Sequence, residues 1–265
     1  MRKVAIVLLV LGLLAVGLLL LVLMGENSAE PSTSSISDNL DYGLPSDRVK
    51  VVERIGYALG YNEDWRISEW VCYRLTRDEA LSNVCERATS FVKDPAISNN
   101  YSTASDYARS GFDKGHLAPA ADMQWSSRAM SDSFYMSNMT PQTPMFNRGI
   151  WKQLEKWVRD VAIVETNIFI VTGPIVTSND LANTIGANRV VVPSAFYKVV
   201  LDETPPRKMI GFVISNRGYG ESISNFVVTV DEVESVTDLD FFKRIPDDEE
   251  EEMESKVDFS NWRNK

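Results

Sequence analysis

The sequence is poor in metal-binding and disulfide-forming residues, with one histidine and two cysteines in 265 residues. Structural zinc sites use several Cys and His ligands at regular spacings, so this class of site is excluded. A single disulfide could join Cys72 and Cys85, but two free, buried thiols explain the same residues equally well. Without internal repeats, the composition predicts one globular domain with a substantial core.

The chain also lacks the excess positive charge that many nucleic-acid-binding proteins carry, because its formal net charge is −10. Seven acidic residues lie in one run at residues 247–254, so the remainder carries −10 + 7 = −3. This run is expected to be a solvated helix or loop. Basic residues concentrate in the middle of the chain, where they fit either a basic cleft or a solvated helix face. They are Arg109, Lys114, Arg128, Arg148, Lys152, Lys156 and Arg159.

Lysine and arginine are absent between Lys3 and Arg48. Within that interval, residues 4–24 are apolar or glycine and would span about 31 Å as a helix, which matches a bilayer core. This run is longer than the apolar region of a cleavable signal peptide, so residues 1–25 are predicted to be an uncleaved signal anchor. The charge asymmetry predicts a single-pass membrane protein with a cytoplasmic N-terminus and an extracytoplasmic domain. A bacterial envelope is preferred, with the mitochondrial inner membrane as the alternative.

The remaining chain divides into a tether and a folded domain. Residues 26–47 are rich in Ser, Asn, Asp and Pro and are predicted to form a flexible linker, followed by the domain at 48–265. A hairpin at 54–75 is expected, then a helix opened by a capping box at Thr76 and Glu79. A helix at 126–135, a Pro-containing loop at 137–144 and a helix of about four turns from Asn147 follow. Strands are expected at 168–176, 189–201 and 208–214, and the absence of regular βαβ alternation predicts an α+β fold.

Two segments carry candidate chemistry. His116 follows a turn-forming glycine, and a histidine with a reference pKa near 6.5 is a natural general base. Asn147 starts a helix, where its carboxamide oxygen could bind a hard cation such as Mg²⁺. A structural histidine, a helix N-cap and an ordinary helix pair between Glu155 and Arg159 are the competing interpretations, and spacing alone does not overcome them.

The segment Asp113-Lys114-Gly115-His116 and the residues after it resemble the signature of the DNA/RNA non-specific endonuclease family, to which endonuclease G belongs. The similarity continues in the same order through residues 134–142, 146–155, 171–174, 192–198 and 211–212, and covers roughly residues 50–245. This resemblance implies a ββα-metal fold, in which a finger of two strands and a helix packs on a central, mainly antiparallel sheet.

The resemblance also implies a role for each matching residue. His116 would be the general base, Asn147 the ligand of Mg²⁺, with Mn²⁺ as a substitute, and Glu155 would hold the metal's water shell. Asn138 would position groups around the scissile phosphate, while Arg159 and Arg87 would contact phosphate oxygens, and Lys114 and Arg148 would bind substrate. The family usually has arginine where this chain has Lys114, which keeps the charge but loses the bidentate fork.

The resulting prediction is a membrane-anchored, Mg²⁺-dependent endonuclease that cuts DNA and RNA with low sequence specificity. The alternatives are a nuclease-fold protein of the cell envelope with weak or no activity, which uses its acidic tail to bind a partner, and a phosphodiesterase for smaller substrates. The sequence leaves the oligomeric state open, with a homodimer among the options.

Overall fold

A large antiparallel sheet dominates the computed structural model, which describes residues 36–262. Its seven strands have the order β1-β2-β3-β6-β9-β10-β11, and every neighbouring pair is antiparallel. Two small sheets pair β4 with β5 and β7 with β8. The strands are β1 (Lys50–Glu53), β2 (Ala58–Asn62), β3 (Ile67–Thr76), β4 (Asp113–His116), β5 (Met139–Gln142), β6 (Asn167–Ile175), β7 (Thr184–Ile185), β8 (Val190–Val191), β9 (Ala195–Asp202), β10 (Lys208–Ser215) and β11 (Val227–Val228).

Helices fill the connections between the strands. The α-helices are α1 (Arg77–Leu81), α2 (Ser127–Ser133), α3 (Lys152–Glu165), α4 (Val230–Thr237) and α5 (Asp247–Glu254). A helical segment, Phe146–Trp151, is kinked at Gly149 and leads directly into α3. Short 3₁₀ turns occupy Ile36–Leu40, Ala104–Tyr107, Ala120–Asp122, Met136–Asn138, Asp180–Ala182, Ile223–Phe226 and Phe259–Trp262.

Both faces of the central strands are buried, as strand β6 illustrates. Side chains alternate between the two faces of a strand, so Ile168 and Ile170 enter one core while Phe169 and Val171 enter the other. The first core receives α3, through Leu154 among others, and the second receives α4. The sheet therefore separates two apolar layers, each closed by helices.

The short sheet of β4 and β5 lies between two apolar clusters, since Leu117 and Ala118 after β4 enter the first core while Met139 of β5 enters a smaller cluster with Ile67. Residue His116 pairs with Met139 and residue Gly115 with Thr140. Gly115 is required by close approach, because a Cβ at this position would lie 2.1 Å from the Gln142 side chain. Two strands followed by a helix form the ββα arrangement that the family resemblance implies.

Most secondary-structure predictions are confirmed, including the β2–β3 hairpin, the capping box of α1, helix α2 and strands β6, β9 and β10. The sequence predicts a loop at 137–144, but residues 139–142 form strand β5. Proline is tolerated there because β5 belongs to a sheet of only two strands, each of them an edge. The α+β class with an antiparallel central sheet is thus correct.

The folded part begins before residue 48, within the predicted linker. Asn39 is buried, its carbonyl oxygen accepts a hydrogen bond from the Cys72 thiol, and Tyr42 donates to Glu203 at 2.7 Å. Both cysteines are free, and the Cys85 thiol points to the Gln124 carbonyl oxygen instead. The acidic run is predicted to be a solvated helix or loop, and it forms helix α5. Its last residue, Glu254, is buried and not solvated.

The predicted single-pass membrane topology needs correction. Across residues 36–262 no helix has the length and apolar character needed to cross a membrane. The predicted transmembrane helix at 1–25, including the apolar run at 4–24, lies outside the described residues. The prediction of a membrane-anchored protein with an extracytoplasmic domain is therefore not retained.

Candidate active site

His116 ends strand β4 in an aromatic setting. Its ring meets Phe134 edge-on at 4.9 Å between centroids and lies 5.8 Å from Phe91. The side chain is 8% exposed, and its Nε2 is buried without a hydrogen-bond partner among the described residues. Burial, and secondarily the positive charge of Arg87, lowers the pKa of His116 to about 3. The imidazole is consequently neutral at physiological pH, the state in which it can accept a proton.

Asn138 holds the turn that follows His116. It is completely buried, and its Nδ2 donates to the carbonyl oxygens of Ala118 and Ser133 at 2.9 and 2.8 Å. Its Oδ1 accepts from the Ala118 backbone N–H at 2.9 Å. Both the oxygen and the nitrogen of this side-chain amide are thus hydrogen-bonded to backbone groups. The structure therefore places Asn138 behind the site, away from the position around a phosphate that the resemblance implies.

Asn147 lies in the kinked segment before α3 and faces strand β4. Its Nδ2 donates to Asp113 Oδ2 at 3.0 Å, and the Arg148 guanidinium binds both oxygens of the same carboxylate at 2.6 and 2.8 Å. Although burial acts in the opposite direction, these hydrogen bonds lower the pKa of Asp113. With the amide nitrogen fixed, Oδ1 of Asn147 has no donor within residues 36–262 and is oriented as a free acceptor.

This arrangement fits a hard divalent cation. An uncharged carboxamide oxygen, oriented by a carboxylate and lying near Glu155 in the same cleft, is typical of a site where Mg²⁺ keeps most of its waters. The kink at Gly149, with non-helical angles of φ −105° and ψ −110°, separates the turn that carries Asn147 from α3.

Glu155, in the first turn of α3, lies close to buried charged residues, of which Lys198 and Asp122 act most strongly on it. Burial raises the pKa of its carboxyl group, and the ammonium of Lys198 on β9 counteracts that rise. Lys198 is fully buried and its Nζ has no hydrogen-bond partner in the described chain, although it lies 5.0 Å from the Trp151 ring centroid. Burial lowers the pKa of Lys198 while Glu155 raises it. The two groups thus support each other's charge.

Arg159 lies one turn further along α3 and points inward. Its guanidinium forms a salt bridge with Asp122, a buried carboxylate that also accepts a hydrogen bond from the Tyr73 hydroxyl at 2.8 Å. The side chain of Arg159 is 21% exposed. The structure therefore ties Arg159 to the support of the site, where the resemblance implies a phosphate contact.

An open cleft of about 760 Å³ brings the other predicted residues together. Six of the eight predicted site residues line it, and Asn138 and Arg159 do not. Arg87 is exposed and packs over the Phe134 ring at 5.1 Å, while Lys114 Nζ lies 4.9 Å from the Phe91 ring centroid. The six are Arg87, Lys114, His116, Asn147, Arg148 and Glu155.

Four further residues of the site were given no individual role from the sequence. Lys152 lines the cleft, Asp113 orients Asn147, and Asp122 and Lys198 lie beneath Glu155. Asp113 and Asp122 belong to the motif around His116. Lys198 carries a different signal, because it interrupts the apolar residues of a strand buried on both faces.

Comparison with known proteins agrees with this geometry. A model of the DNA/RNA non-specific endonucleases matches residues 36–248. The chain belongs to the DNA/RNA non-specific endonuclease family. Human endonuclease G, a mitochondrial protein, is 33% identical over 217 residues, which cover 77% of this chain and 73% of that protein. Mouse mitochondrial nuclease EXOG is 31% identical over 220 residues.

The curated relatives are longer than the region that they share with this chain. The chain spans about 60% of mouse EXOG, and the match covers 77% of this chain. A crystal structure of an EndoG/EndoGI complex, described as showing the mechanism of EndoG inhibition, superposes with a TM-score of 0.74 at 32% identity. That superposition covers 83% of this chain and 95% of the other chain. The family match begins at residue 36, in agreement with the early start of the folded part.

Proposed function

We propose that this chain is a Mg²⁺-dependent endonuclease that hydrolyses phosphodiester bonds of DNA and RNA with low sequence specificity. The observation that carries the proposal is the meeting of a neutral His116, the Asn147 amide held through its nitrogen by Asp113, and the carboxylate of Glu155 in one open cleft. A base, a metal ligand and a carboxylate within one cleft are the parts that metal-assisted hydrolysis needs.

His116 is the general base of this proposal. Its imidazole takes a proton from water, the resulting hydroxide attacks phosphorus, and the bond from phosphorus to the departing oxygen breaks. The departing oxygen leaves as an alkoxide and takes a proton from solvent water, and the imidazolium releases its proton to solvent. In the free protein, burial and Arg87 keep the imidazole unprotonated. When the substrate phosphate approaches Arg87, its negative charge offsets the guanidinium, and the proton affinity of His116 rises as the substrate binds.

Asn147 is the proposed protein ligand of the metal, and Glu155 faces the metal's water shell. A bound Mg²⁺ would supply positive charge against the phosphate and the departing oxygen. Asp113 fixes the Asn147 amide with the oxygen outward, and Lys198 stabilises the ionised form of Glu155. The protein groups therefore determine where the metal is held without enclosing it.

The basic lining explains how nucleic acid would be bound. Arg87, Lys114 and Lys152 carry positive charge and form no salt bridge within residues 36–262, so they are free to contact phosphates. Contacts to the backbone carry no sequence information, which accounts for low specificity. Such binding weakens steeply as the salt concentration rises. Nucleic acid is the proposed partner.

The test compares the full-length wild-type chain with His116→Ala and His116→Gln on supercoiled plasmid and single-stranded RNA. With Mg²⁺ we expect both substrates to be degraded, and with EDTA we expect no cleavage. Either substitution should lower the rate about 10²–10⁴-fold, the usual contribution of a general base. Circular dichroism and the melting temperature establish that each variant is folded.

A folded wild-type chain that leaves both substrates intact with Mg²⁺ and with Mn²⁺ would contradict the proposal. The binding-only alternative would then be favoured, and a gel-shift assay on the same substrates would test it. Cleavage of small phosphodiesters that long duplex DNA does not inhibit would favour the phosphodiesterase alternative.

A further inference from the structure

A second group of oxygen ligands lies far along the chain from the cleft, where α4 meets α5. Asp231 and Glu234 come from α4 and Glu254 is the last residue of α5. One carboxylate oxygen from each lies within 4.8 Å of the others. None of the three lines the cleft around His116.

Glu254 is the unusual member of this group. The residue is 7% exposed, and its Oε1 is buried without a hydrogen-bond partner in the described part of the chain. A buried carboxylate oxygen without a donor carries a full desolvation cost. By contrast, Glu234 accepts a hydrogen bond from the Phe241 backbone N–H at 2.7 Å.

The charged groups that act most strongly on Glu254 are all acidic. They are Glu234, Glu250, Asp231 and Asp240, and within residues 36–262 none of these carboxylates forms a salt bridge with a lysine or arginine. A cation bound among them would offset this concentration of negative charge.

We propose that Asp231, Glu234 and Glu254 form a binding site for a divalent cation of the calcium type. All ligands are carboxylate oxygens, which suit a hard cation and not a metal that prefers nitrogen or sulfur. Calcium tolerates irregular coordination by six to eight oxygens, whereas Mg²⁺ requires near-octahedral geometry. Asp231 is exposed and Glu254 buried, so the ion enters beside Asp231 and water completes its coordination.

The proposed site would fasten the end of α5 to α4. Glu254 lies beyond residue 248, where the family match ends. The ligand set is thus completed by a residue outside the matched region, and the site is not part of what the chain shares with the family model. It requires no role for the catalytic cleft and does not depend on the proposed function.

The test measures Ca²⁺ binding by equilibrium dialysis in the full-length chain carrying Asn147→Ala, which removes the proposed metal ligand of the cleft. We expect one bound Ca²⁺ per chain and a melting temperature that rises with Ca²⁺. Adding Glu254→Gln should lower the affinity at least tenfold and abolish the rise. The matched control is Glu251→Gln, an exposed residue of the same helix, which should leave both unchanged.

Asp231→Asn provides a second variant at an exposed position, where the substitution does not disturb packing. It should also lower Ca²⁺ affinity, and it decides the question if Glu254→Gln fails to fold. The proposal is overturned if the Asn147→Ala chain binds no Ca²⁺, or if Asp231→Asn and Glu254→Gln bind Ca²⁺ as well as Glu251→Gln does. Saturation by Mg²⁺ at the same concentration would overturn the preference for calcium.

Discussion

Two groups of buried carboxylates in this protein differ in the sign of their neighbours. Beneath the cleft, Glu155 is accompanied by Lys198 and Arg159, so charges of both signs are present. Between α4 and α5, the charged neighbours that act most strongly on Glu254 are all acids. Burial raises the pKa of the carboxyl group in both places.

The comparison shows that neighbours decide what a buried carboxylate can do. Lys198 supports the ionised form of Glu155 against the burial that raises the pKa of this carboxyl group to about 7. The strongest charged neighbours of Glu254 are all acids, so it keeps a proton or takes a metal ion. Substituting one acid in each place should therefore have opposite consequences, loss of function in the first and gain of metal-free stability in the second.

The largest effect is expected from Glu155→Gln, which removes the charge from the mixed group and preserves the shape of the side chain. We expect nuclease activity at a fixed Mg²⁺ concentration to fall about 100-fold, because outer-sphere partners typically affect metal sites to this extent. Plasmid cleavage rates provide the measurement. Glu165→Gln, the same change at the other end of α3, should retain activity, and equal losses in both variants would contradict this role.

A smaller loss is expected from Lys198→Met, which removes the cation and leaves Glu155 in place. Activity should fall about 10-fold, and a higher Mg²⁺ concentration should be needed for half-maximal rate. Lys208→Met is the control, since Lys208 on the adjacent strand pairs with Glu165 and Asp202 outside the cleft. A lower rate with an unchanged Mg²⁺ requirement would assign Lys198 a purely structural role.

The smallest effect concerns Glu254→Gln in the presence of EDTA. The folded pKa of about 9 exceeds the ordinary value of 4.5, so the unfolded chain releases this proton more readily and wild-type stability falls as pH rises between these values. Glutamine abolishes this dependence and should raise the free energy of unfolding by about 1 kcal/mol at pH 8, after allowance for solvent screening.

Urea denaturation at pH 8 and pH 5 measures this difference. At pH 5 the advantage of the variant should almost disappear, because the wild-type carboxyl is then protonated in the folded chain. The Glu251→Gln variant serves as the control at both pH values. A stability gain that is the same at pH 5 and pH 8 would show that charge is not its cause.

Local sequence patterns predicted most of the secondary structure and most of the residues at the cleft. The differences from prediction are explained by tertiary contacts. Apolar alternation located β6, β9 and β10, and the ordered motifs located six of the eight residues at the cleft. The same motifs could not show that the Asn138 amide is hydrogen-bonded to the Ala118 backbone, or that Arg159 forms a salt bridge with Asp122. These outcomes depend on partners from other elements, which spacing along one element does not reveal.

The same limit applies to the two ends of the domain. Residues 39–46 resemble a linker in composition, yet Asn39 is buried beside Cys72. The acidic run resembles a solvated helix, and only its packing against α4 shows that Glu254 is enclosed. Composition describes the average character of a segment, whereas a single enclosed residue can determine its role.

The kink at Gly149 also has a consequence for insertions and deletions. Because Gly149 has non-helical angles, the turn that carries Asn147 and helix α3 are two separate helical pieces. The hydrogen bond from Asn147 to Asp113 ties the first piece to β4, while Leu154 ties the second to the core under the sheet. The direction of the Asn147 amide therefore follows the position of β4, and a change in the rotation of α3 is not transmitted to it through a continuous helix.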